Sequence, residues 1–509
     1  MKKKNNNLFN NLFTQSFVFF INLLISFYLT PFFINSVGIE AYGFISLSSQ
    51  LINILNLLVL ALNSMAGRFI TIAIHKNDEL KANKYFTSII ISNLIFVSII
   101  FIPTAVFIYY LEFFVSIPTD LIHDIKILHI LLFINYFIGL VFSTYSISTF
   151  VVDKIYLSSM RSLESNVIRI TLIFLLYYFF PPFTFYIMIA SLIANLYTII
   201  FNFFYKKKYL PNLTFNKIYY DLRFVIEIVK SGIWNVITRL GQLLLDGFDL
   251  FITNWFFGAF LMGVISLSKT IPSTISSLVG FLIYSFFPNF TYLYSQGQIE
   301  EFKNELKRSF KIMALLINIP LALLIIFGME FYSLWLGTSE SETIYILSTI
   351  SLIPLIFSGS LNGLNSIFTI TNKLKLFSIT YIFSGLLGLL FSFLLISLTN
   401  LGAFSIVIAS SSIGILRILF ITIPFGAKYL GLKWNTFFID LFKSLISLSV
   451  VLIIGFTIKL FIVPSDWLAL LLNFLFTSII SFILNLLILF SKSEINNFLE
   501  STFKKQKNL

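Results

Sequence analysis

The sequence predicts an all-α integral membrane protein with about fourteen transmembrane helices. Of its 509 residues, 58% are hydrophobic and only 11% are charged, and the mean hydropathy is +0.94. A soluble domain needs a polar surface and does not reach such values. Apolar runs of about 20 residues, each long enough to cross a bilayer as a helix, recur along the whole chain.

The apolar runs give the position of each span. The first, near 12–33, is too long for a typical signal-peptide core and no convincing cleavage site follows it, so we expect it to be retained. The next five are expected near 42–65, 86–111, 127–150, 164–180 and 183–204. The last eight are expected near 231–254, 259–286, 310–329, 344–368, 376–398, 402–424, 441–462 and 468–490.

The positions of lysine and arginine predict the orientation of these spans. With the N-terminus inside, 28 of the 34 basic residues fall at inward-facing ends and connections. The outward connections carry only Lys126 and Lys459. We therefore expect both termini in the cytoplasm, and we interpret the net charge of +12 as a topology signal that calls for no nucleic acid.

The chain also repeats itself. GIEAYGFISLS at 38–48 and GAFLMGVISLS at 258–268 share six of eleven residues at an offset of 220. Helices 1–6 are therefore expected to be an old duplicate of helices 7–12, in the same orientation, with a cleft between the two bundles. The predicted domains are a six-helix bundle at 1–205, a cytoplasmic linker at 206–230, a second six-helix bundle at 231–424, and two further helices with a basic cytoplasmic tail at 425–509.

The seventh and eighth helices carry the ionisable groups that are costliest to place in a membrane. Asn235, Arg239, Gln242, Asp246 and Asp249 follow one another at steps of four, three, four and three, which on one helix forms a continuous polar stripe. Lys269 lies in the following helix. A charged side chain near the bilayer centre costs roughly 2.5 to 3.5 kcal/mol, so these groups are expected to face water, a ligand or one another.

Two interpretations of these polar residues stay open. Arg239 and Lys269 could simply neutralise Asp246 and Asp249, or they could form a binding site. At the offset of 220 the first helix offers Asn22 and Ser26, which suit a cleft lining and suit helix-packing contacts equally well. The many asparagines are typical of a coding bias toward A and T, so most of them are expected to be incidental.

Several other functions find no support in the sequence. Cysteine is absent, and His75, His123 and His129 show no metal-ligand spacing, so no metal or cofactor is expected. No G-x-x-x-x-G-K-[ST] loop is present to bind ATP. A polymerase, a ligase or another membrane enzyme would be expected to have a sizeable outer loop, and the outward connections here are short.

Several segments carry a family resemblance: LTPFFINSVGIEAYGFISL at 29–47, the matching G-x4-G-V-I-S-L element, FFPNFTYLYSQGQIEEFKNELKRS at 286–309, and the twelve-plus-two layout. Together they resemble the polysaccharide-exporter branch of the multidrug, oligosaccharidyl-lipid and polysaccharide exporter (MOP) superfamily, with its MATE-like fold. The resemblance implies a flippase of the O-antigen or capsule type in a bacterial cytoplasmic membrane. It implies that an undecaprenyl-pyrophosphate-linked oligosaccharide crosses by alternating access.

In that family cationic residues meet the pyrophosphate and acidic sugars of the substrate. Arg239 and Lys269 match that role by position and type, with Gln242, Asn235, Asn22 and Ser26 as further cleft residues. Arg68 is the sole candidate in the first bundle for the early arginine of related flippases. The resemblance also implies a polysaccharide polymerase and glycosyltransferases as pathway partners. The alternative is a drug or cation antiporter of the same superfamily, in which Asp246 and Asp249 would couple the ion.

Overall fold

The computed structural model describes residues 2–371 and 373–494, which contain no β-strand; the basic tail beyond residue 494 lies outside them. The helices of the described residues are, in chain order, α1 (Lys2–His75), α2 (Glu79–Tyr109), α3 (Leu111–Phe114), α4 (Ile122–Phe142), α5 (Ile147–Val151), α6 (Ile155–Phe179), α7 (Tyr186–Tyr209), α8 (Leu222–Asp246), α9 (Asp249–Tyr284), α10 (Phe287–Ser295), α11 (Ile299–Leu336), α12 (Ser341–Ser358), α13 (Gly363–Ile370), α14 (Leu374–Leu398), α15 (Phe404–Arg417), α16 (Ile423–Tyr429), α17 (Phe438–Phe461) and α18 (Trp467–Leu489). A π-helical turn, Ile418–Thr422, joins α15 to α16.

Twelve segments of the described residues are long and apolar enough to cross a membrane. Two of them, Phe13–His75 and Leu222–Tyr284, have 63 residues each, about three times the length that one crossing needs. The first is broken at Gly38 and the second between α8 and α9 and at Gly258. Counting each as two crossings gives fourteen, so the predicted all-α membrane fold is confirmed.

The repeated glycines have the same backbone conformation. Gly38 has φ 88° and ψ 168°, and Gly258 has φ 83° and ψ −179°. A residue with a Cβ rarely adopts this positive φ. Each glycine interrupts a helix at the first residue of its eleven-residue element. The backbone therefore matches the duplication predicted from the sequence at this point.

The second glycine of each eleven-residue element, Gly43 or Gly263, allows the two helices that carry them to pack closely. A Cβ on Gly43 would lie 2.9 Å from the Cα of Gly263, and a Cβ on Gly263 would collide with the carbonyl oxygen of Ile39. Small residues let membrane helices approach to backbone contact, where van der Waals packing holds them. The G-x4-G pattern is therefore a helix-packing element as well as a mark of the repeat.

The chain divides into two compact units. The first comprises Met1–Leu243 and Leu250–Gly263, and the second comprises Leu244–Asp249 and Val264–Leu509. By its contacts α8 lies in the first unit as far as Leu243, beyond the residue 231 at which the second bundle was expected to begin. The four predicted domains and the boundaries between them stay predictions.

Each unit has its own apolar core. In the first, α1, α2 and the start of α8 meet around the fully buried side chains of Ile70, Phe86, Ile89 and Ile228. In the second, α11 is buried over much of its length, from Phe302 to Leu336. The outer faces are apolar too, as a hydrocarbon solvent requires, and Phe461, for example, is 88% exposed.

Candidate functional site

The helix that carries most of the predicted site residues is broken just before the last of them. α8 ends at Asp246, Gly247 and Phe248 form a turn, and α9 starts at Asp249. The prediction of one continuous helical stripe from Asn235 to Asp249 is therefore wrong. Gly247 favours the break, because glycine costs about 1 kcal/mol in a helix interior relative to alanine. A helix that is interrupted within the membrane is typical of the substrate sites of transporters.

Upstream of the break, Arg239 lies in the wall of a cavity of about 590 Å³ within the first unit. Its Nη1 donates a hydrogen bond to Gln242 Oε1 at 3.2 Å, so one predicted site residue orients the other. α8 is held close to this wall because Gly232 packs against the backbone of α1. A Cβ on Gly232 would lie 2.8 Å from the Cα of Ala61.

The rest of the cavity wall is rich in side-chain amides. The second half of α1 contributes Asn53, Asn56 and Asn63, α4 contributes Asn135 and Tyr136, and α7 contributes Asn195. The remaining lining residues of the cavity are Ile52, Leu57, Val59, Leu60, Leu132, Gly139, Leu140 and Ser143. Among the described residues that line it, Arg239 is the single ionisable side chain apart from the phenol of Tyr136, and no carboxylate is present.

The packing of α4 against α7 places two of these amides together. Asp124 near the start of α4 accepts hydrogen bonds from the backbone N–H groups of Thr184 and Phe185, at 2.9 and 3.0 Å, and so joins α4 to the turn that precedes α7. Gly139 then allows close approach, since a Cβ there would lie 3.2 Å from Asn195 Nδ2. As a result Asn195 Nδ2 donates to Asn135 Oδ1 at 2.8 Å.

The amides of the cavity fall into two groups. Asn63 and Asn93 exchange two hydrogen bonds of 3.2 Å each, which join α1 to α2. Asn53 and Asn56, in contrast, make no side-chain hydrogen bond within the part of the chain that the structure describes. The hydroxyl of Tyr136 is buried and also lacks a partner there. Since buried polar groups are nearly always hydrogen-bonded, the buried hydroxyl of Tyr136 indicates a place for a polar ligand. The amides of the half-buried Asn53 and the exposed Asn56 are open to the same ligand.

Sequence reasoning predicts a water-accessible Asn53 in the cleft, but it missed the other asparagines of this wall because it treated most of them as incidental. A usable signal was present: Asn53, Asn56 and Asn63 are spaced by three and seven residues, which places them on one face of a helix. A coding bias alone does not predict this shared face.

Four other predicted site residues lie outside the cavity wall. Asn22 is half-buried and accepts a hydrogen bond from Asn166 Nδ2 at 2.6 Å, which is the contact expected of a side chain that holds two membrane helices together. Ser26 and Arg68 are exposed on α1, and Asn235 is half-buried on α8. None of the four is among the described residues that line the cavity with Arg239.

The second unit holds Asp246, Asp249 and Lys269. Lys269 forms an ion pair with Asp249, whose side chain is almost wholly buried, while the lysine side chain is 24% exposed. This pairing is what the structural interpretation of the charges predicts for Lys269. Asp246 is exposed at the end of α8.

A further cation of the second unit, Arg417, is buried and forms no ion pair with a carboxylate of the described residues. Its guanidinium stacks over the ring of Tyr381 at 3.6 Å, and its Nη1 donates to Thr422 Oγ1 at 3.4 Å, across the π-helical turn. Cation–π contact therefore substitutes for an ion pair. No group of three or more histidine, aspartate or glutamate side chains able to hold a metal ion occurs in the residues that the structure describes.

No protein-family model matches the chain. Among curated proteins it is similar to EpsK, an uncharacterized membrane protein of Bacillus subtilis (strain 168), with 26% identity over 419 residues, which cover 82% of this chain and 83% of the relative. The similarity to EpsK therefore covers most of both chains.

Solved structures show the same fold. The inward-facing conformation of a multidrug resistance MATE family transporter of the MOP superfamily matches with a TM-score of 0.63 at 14% identity, over 79% of this chain and 93% of that one. A MOP superfamily transporter from Pyrococcus furiosus, for which reverse polarity of the binding pocket suggests a different function, matches with a TM-score of 0.55 at 13% identity, over 84% of this chain and 96% of that one. The chain has the helical fold of these transporters.

Proposed function

We propose that this protein transports a lipid-linked oligosaccharide, a repeat unit of O-antigen, capsule or exopolysaccharide, from the cytoplasmic to the outer leaflet of a bacterial cytoplasmic membrane. The observation that carries the proposal is the cavity of the first unit, which combines five asparagine amides with one arginine and no carboxylate among its described lining residues. The glycan occupies this cavity, and the undecaprenyl-pyrophosphate lipid accompanies it.

The chemistry of the wall matches a sugar. Each asparagine side chain offers two donors and an acceptor, so it can pair with a hydroxyl whichever way that hydroxyl points. Asn53, Asn56 and the hydroxyl of Tyr136 have no partner among the described residues and are available to the ligand. A volume of about 590 Å³ falls in the range of about 300 to 1,000 Å³ that is usual for ligand pockets.

Arg239 supplies the charge that an anionic substrate needs. A guanidinium binds phosphate or carboxylate through two parallel N–H donors, which fixes orientation as well as charge. Gln242 holds one of its nitrogen atoms in the cavity wall. The cation therefore selects a substrate that carries an acidic group, such as a pyrophosphate or an acidic sugar, beside neutral hydroxyls.

Transport as the activity is supported by the fold, which is that of MATE and MOP superfamily transporters. Within this fold the alternative is export of a drug or cation, with Asp246 and Asp249 as the residues that couple export to an ion. The structure favours this alternative less, because Asp249 is already paired with Lys269 and because the described lining of the cavity offers a cation no carboxylate. Glycosyltransferases that build the lipid-linked substrate and a polymerase that consumes it are the expected partners.

Complementation of a strain that lacks the gene tests the proposal. The wild-type gene is expected to restore surface glycan, whereas Arg239→Ala and the pair Asn53→Ala, Asn56→Ala are expected to be inserted at normal levels and to restore less than a tenth of it. Arg308→Ala and Asn304→Ala serve as matched controls because both side chains are exposed on α11. Normal surface glycan in the deletion strain, or drug sensitivity as its main defect, would contradict the proposal.

A further inference from the structure

A second cavity of the first unit lies between the first half of α1 and α6. Its volume is about 760 Å³, and its principal lining residues are Phe32, Asn35, Thr171, Phe174, Tyr177 and Tyr178. Four of these six are aromatic, and none is ionisable apart from the two phenols. Neither the proposed transport cavity nor the predicted site residues include any of them.

Three of the aromatic rings form a fixed frame. Phe32 packs edge-on against Phe174 at 4.9 Å and against Tyr177 at 5.3 Å between ring centroids. The hydroxyl of Tyr177 donates to the backbone oxygen of Phe183 at 3.0 Å, which ties the frame to the connection between α6 and α7. Tyr178 is not part of this packing and is 83% exposed. A rigid frame with one exposed ring leaves an aromatic face open to a ligand.

Two polar side chains of this cavity are unused. The amide of Asn35 and the hydroxyl of Thr171 make no hydrogen bond within the described part of the chain, whereas the neighbouring hydroxyl of Ser36 is satisfied by the backbone oxygen of Phe32 at 2.7 Å. An amide supplies both donors and an acceptor, and a hydroxyl supplies one of each. The cavity thus presents free hydrogen-bonding groups beside exposed aromatic faces.

This combination distinguishes a saccharide from the other possible occupant, a lipid chain. The negative face of an aromatic ring attracts the weakly positive C–H groups of a sugar ring, and the hydroxyl groups at the sugar's edge need hydrogen-bonding partners. Asn35 and Thr171 are both exposed, and a hydrocarbon chain packed over them would displace water without replacing its hydrogen bonds. An interfacial aromatic belt alone would explain the rings but would require neither a cavity nor an amide within it.

The geometry points to a second saccharide-binding site, formed by α1 and α6, that takes a neutral sugar ring. The lysine and arginine distribution predicts that the first half of α1 and the end of α6 both reach the outer face of the membrane. In this orientation the site binds the glycan as it leaves the transporter. This role rests on the proposed function, since the sugars it would meet are those of the exported glycan.

Direct binding measurements on the purified full-length protein in nanodiscs test the site. The probes are maltotriose and diacetylchitobiose, detected by saturation-transfer NMR. Tyr178→Ala and Asn35→Ala are each expected to raise the Kd for the better-bound probe at least tenfold. Tyr28→Ala is the matched control, because Tyr28 lies on the same helix, is 75% exposed and is outside the cavity.

The same measurements separate failure of this site from failure of the proposed function. If the pair Asn53→Ala, Asn56→Ala abolishes probe binding while Tyr178→Ala and Asn35→Ala leave it unchanged, the sugars bind only in the asparagine cavity; this inference is then wrong and the proposed function stands. Absence of binding by either probe to the wild-type protein also overturns the inference, as does displacement of the probe by farnesol, which would assign the cavity to an isoprenoid chain.

Discussion

The ion pair between Lys269 and Asp249 makes a quantitative prediction about stability. Removing one member of a buried pair costs about 3 to 5 kcal/mol, because the other charge is left unpaired. Asp249 is buried, whereas the lysine side chain is 24% exposed. Lys269→Met therefore leaves the more deeply buried charge and should cost about 3 kcal/mol, and Asp249→Asn should cost less because water can reach the remaining ammonium group.

The test is the fraction of each purified variant that stays monodisperse after heating in detergent. The double variant Lys269→Met, Asp249→Asn should recover most of the loss, as expected for residues in direct contact. Lys303→Met is the control, since Lys303 pairs with the exposed Glu300 three residues away on one helix, a contact worth about 0.5 kcal/mol. If Lys269→Met is as stable as this control, or if the double variant is no better than Lys269→Met, the pair is not the stabilising element described here.

Two other predictions concern packing and orientation. Gly232→Ala should destabilise the protein by about 1 to 3 kcal/mol, because the added Cβ would overlap the backbone at Ala61. Gly280→Ala is the control: no atom lies within 4 Å of its added Cβ, so this variant should be neutral or slightly stabilising. Equal heat stability of the two variants would contradict the close approach of α8 and α1. Single cysteines at the exposed positions Ser116 and Ser339 should react with an impermeant maleimide in intact cells, and those at Asn77 and Asn212 should not; labelling at Asn212 would refute the predicted orientation.

Much of the fold could be predicted because it follows from local and periodic features. Membrane helices need continuous apolar runs, so hydropathy located all fourteen crossings. The duplicated G-x4-G element was visible as sequence identity, and Gly38 and Gly258 have matching backbone angles as duplication requires. The apolar runs follow from the lipid solvent and the glycine positions from backbone geometry, and both can be read from the local sequence without knowledge of distant contacts.

The site was harder to predict because it depends on contacts between distant residues. The steps from Asn235 to Asp249 fit a helix, and a pattern of this kind does not show that the chain turns at Gly247. The sequence left Asp246 and Asp249 as equal partners for the two cations, and packing decides that Asp249 takes Lys269. The asparagines of α1, α4 and α7 become a cavity only when Asp124 and Gly139 bring α4 and α7 together.

The central claim is that Arg239 and the asparagine cavity carry an oligosaccharide across the membrane on its lipid. Its most direct test uses the purified protein in liposomes loaded with a fluorescent undecaprenyl-pyrophosphate-linked oligosaccharide, with proton gradient, sodium gradient and membrane potential imposed in turn. A lectin that cannot cross the bilayer measures how much glycan reaches the opposite leaflet. We expect transport by the wild-type protein and by Arg308→Ala under at least one gradient, and at least a tenfold lower rate for Arg239→Ala and for Asn53→Ala, Asn56→Ala. Wild-type rates in both cavity variants, or no transport by the wild-type protein under any gradient, would contradict the account.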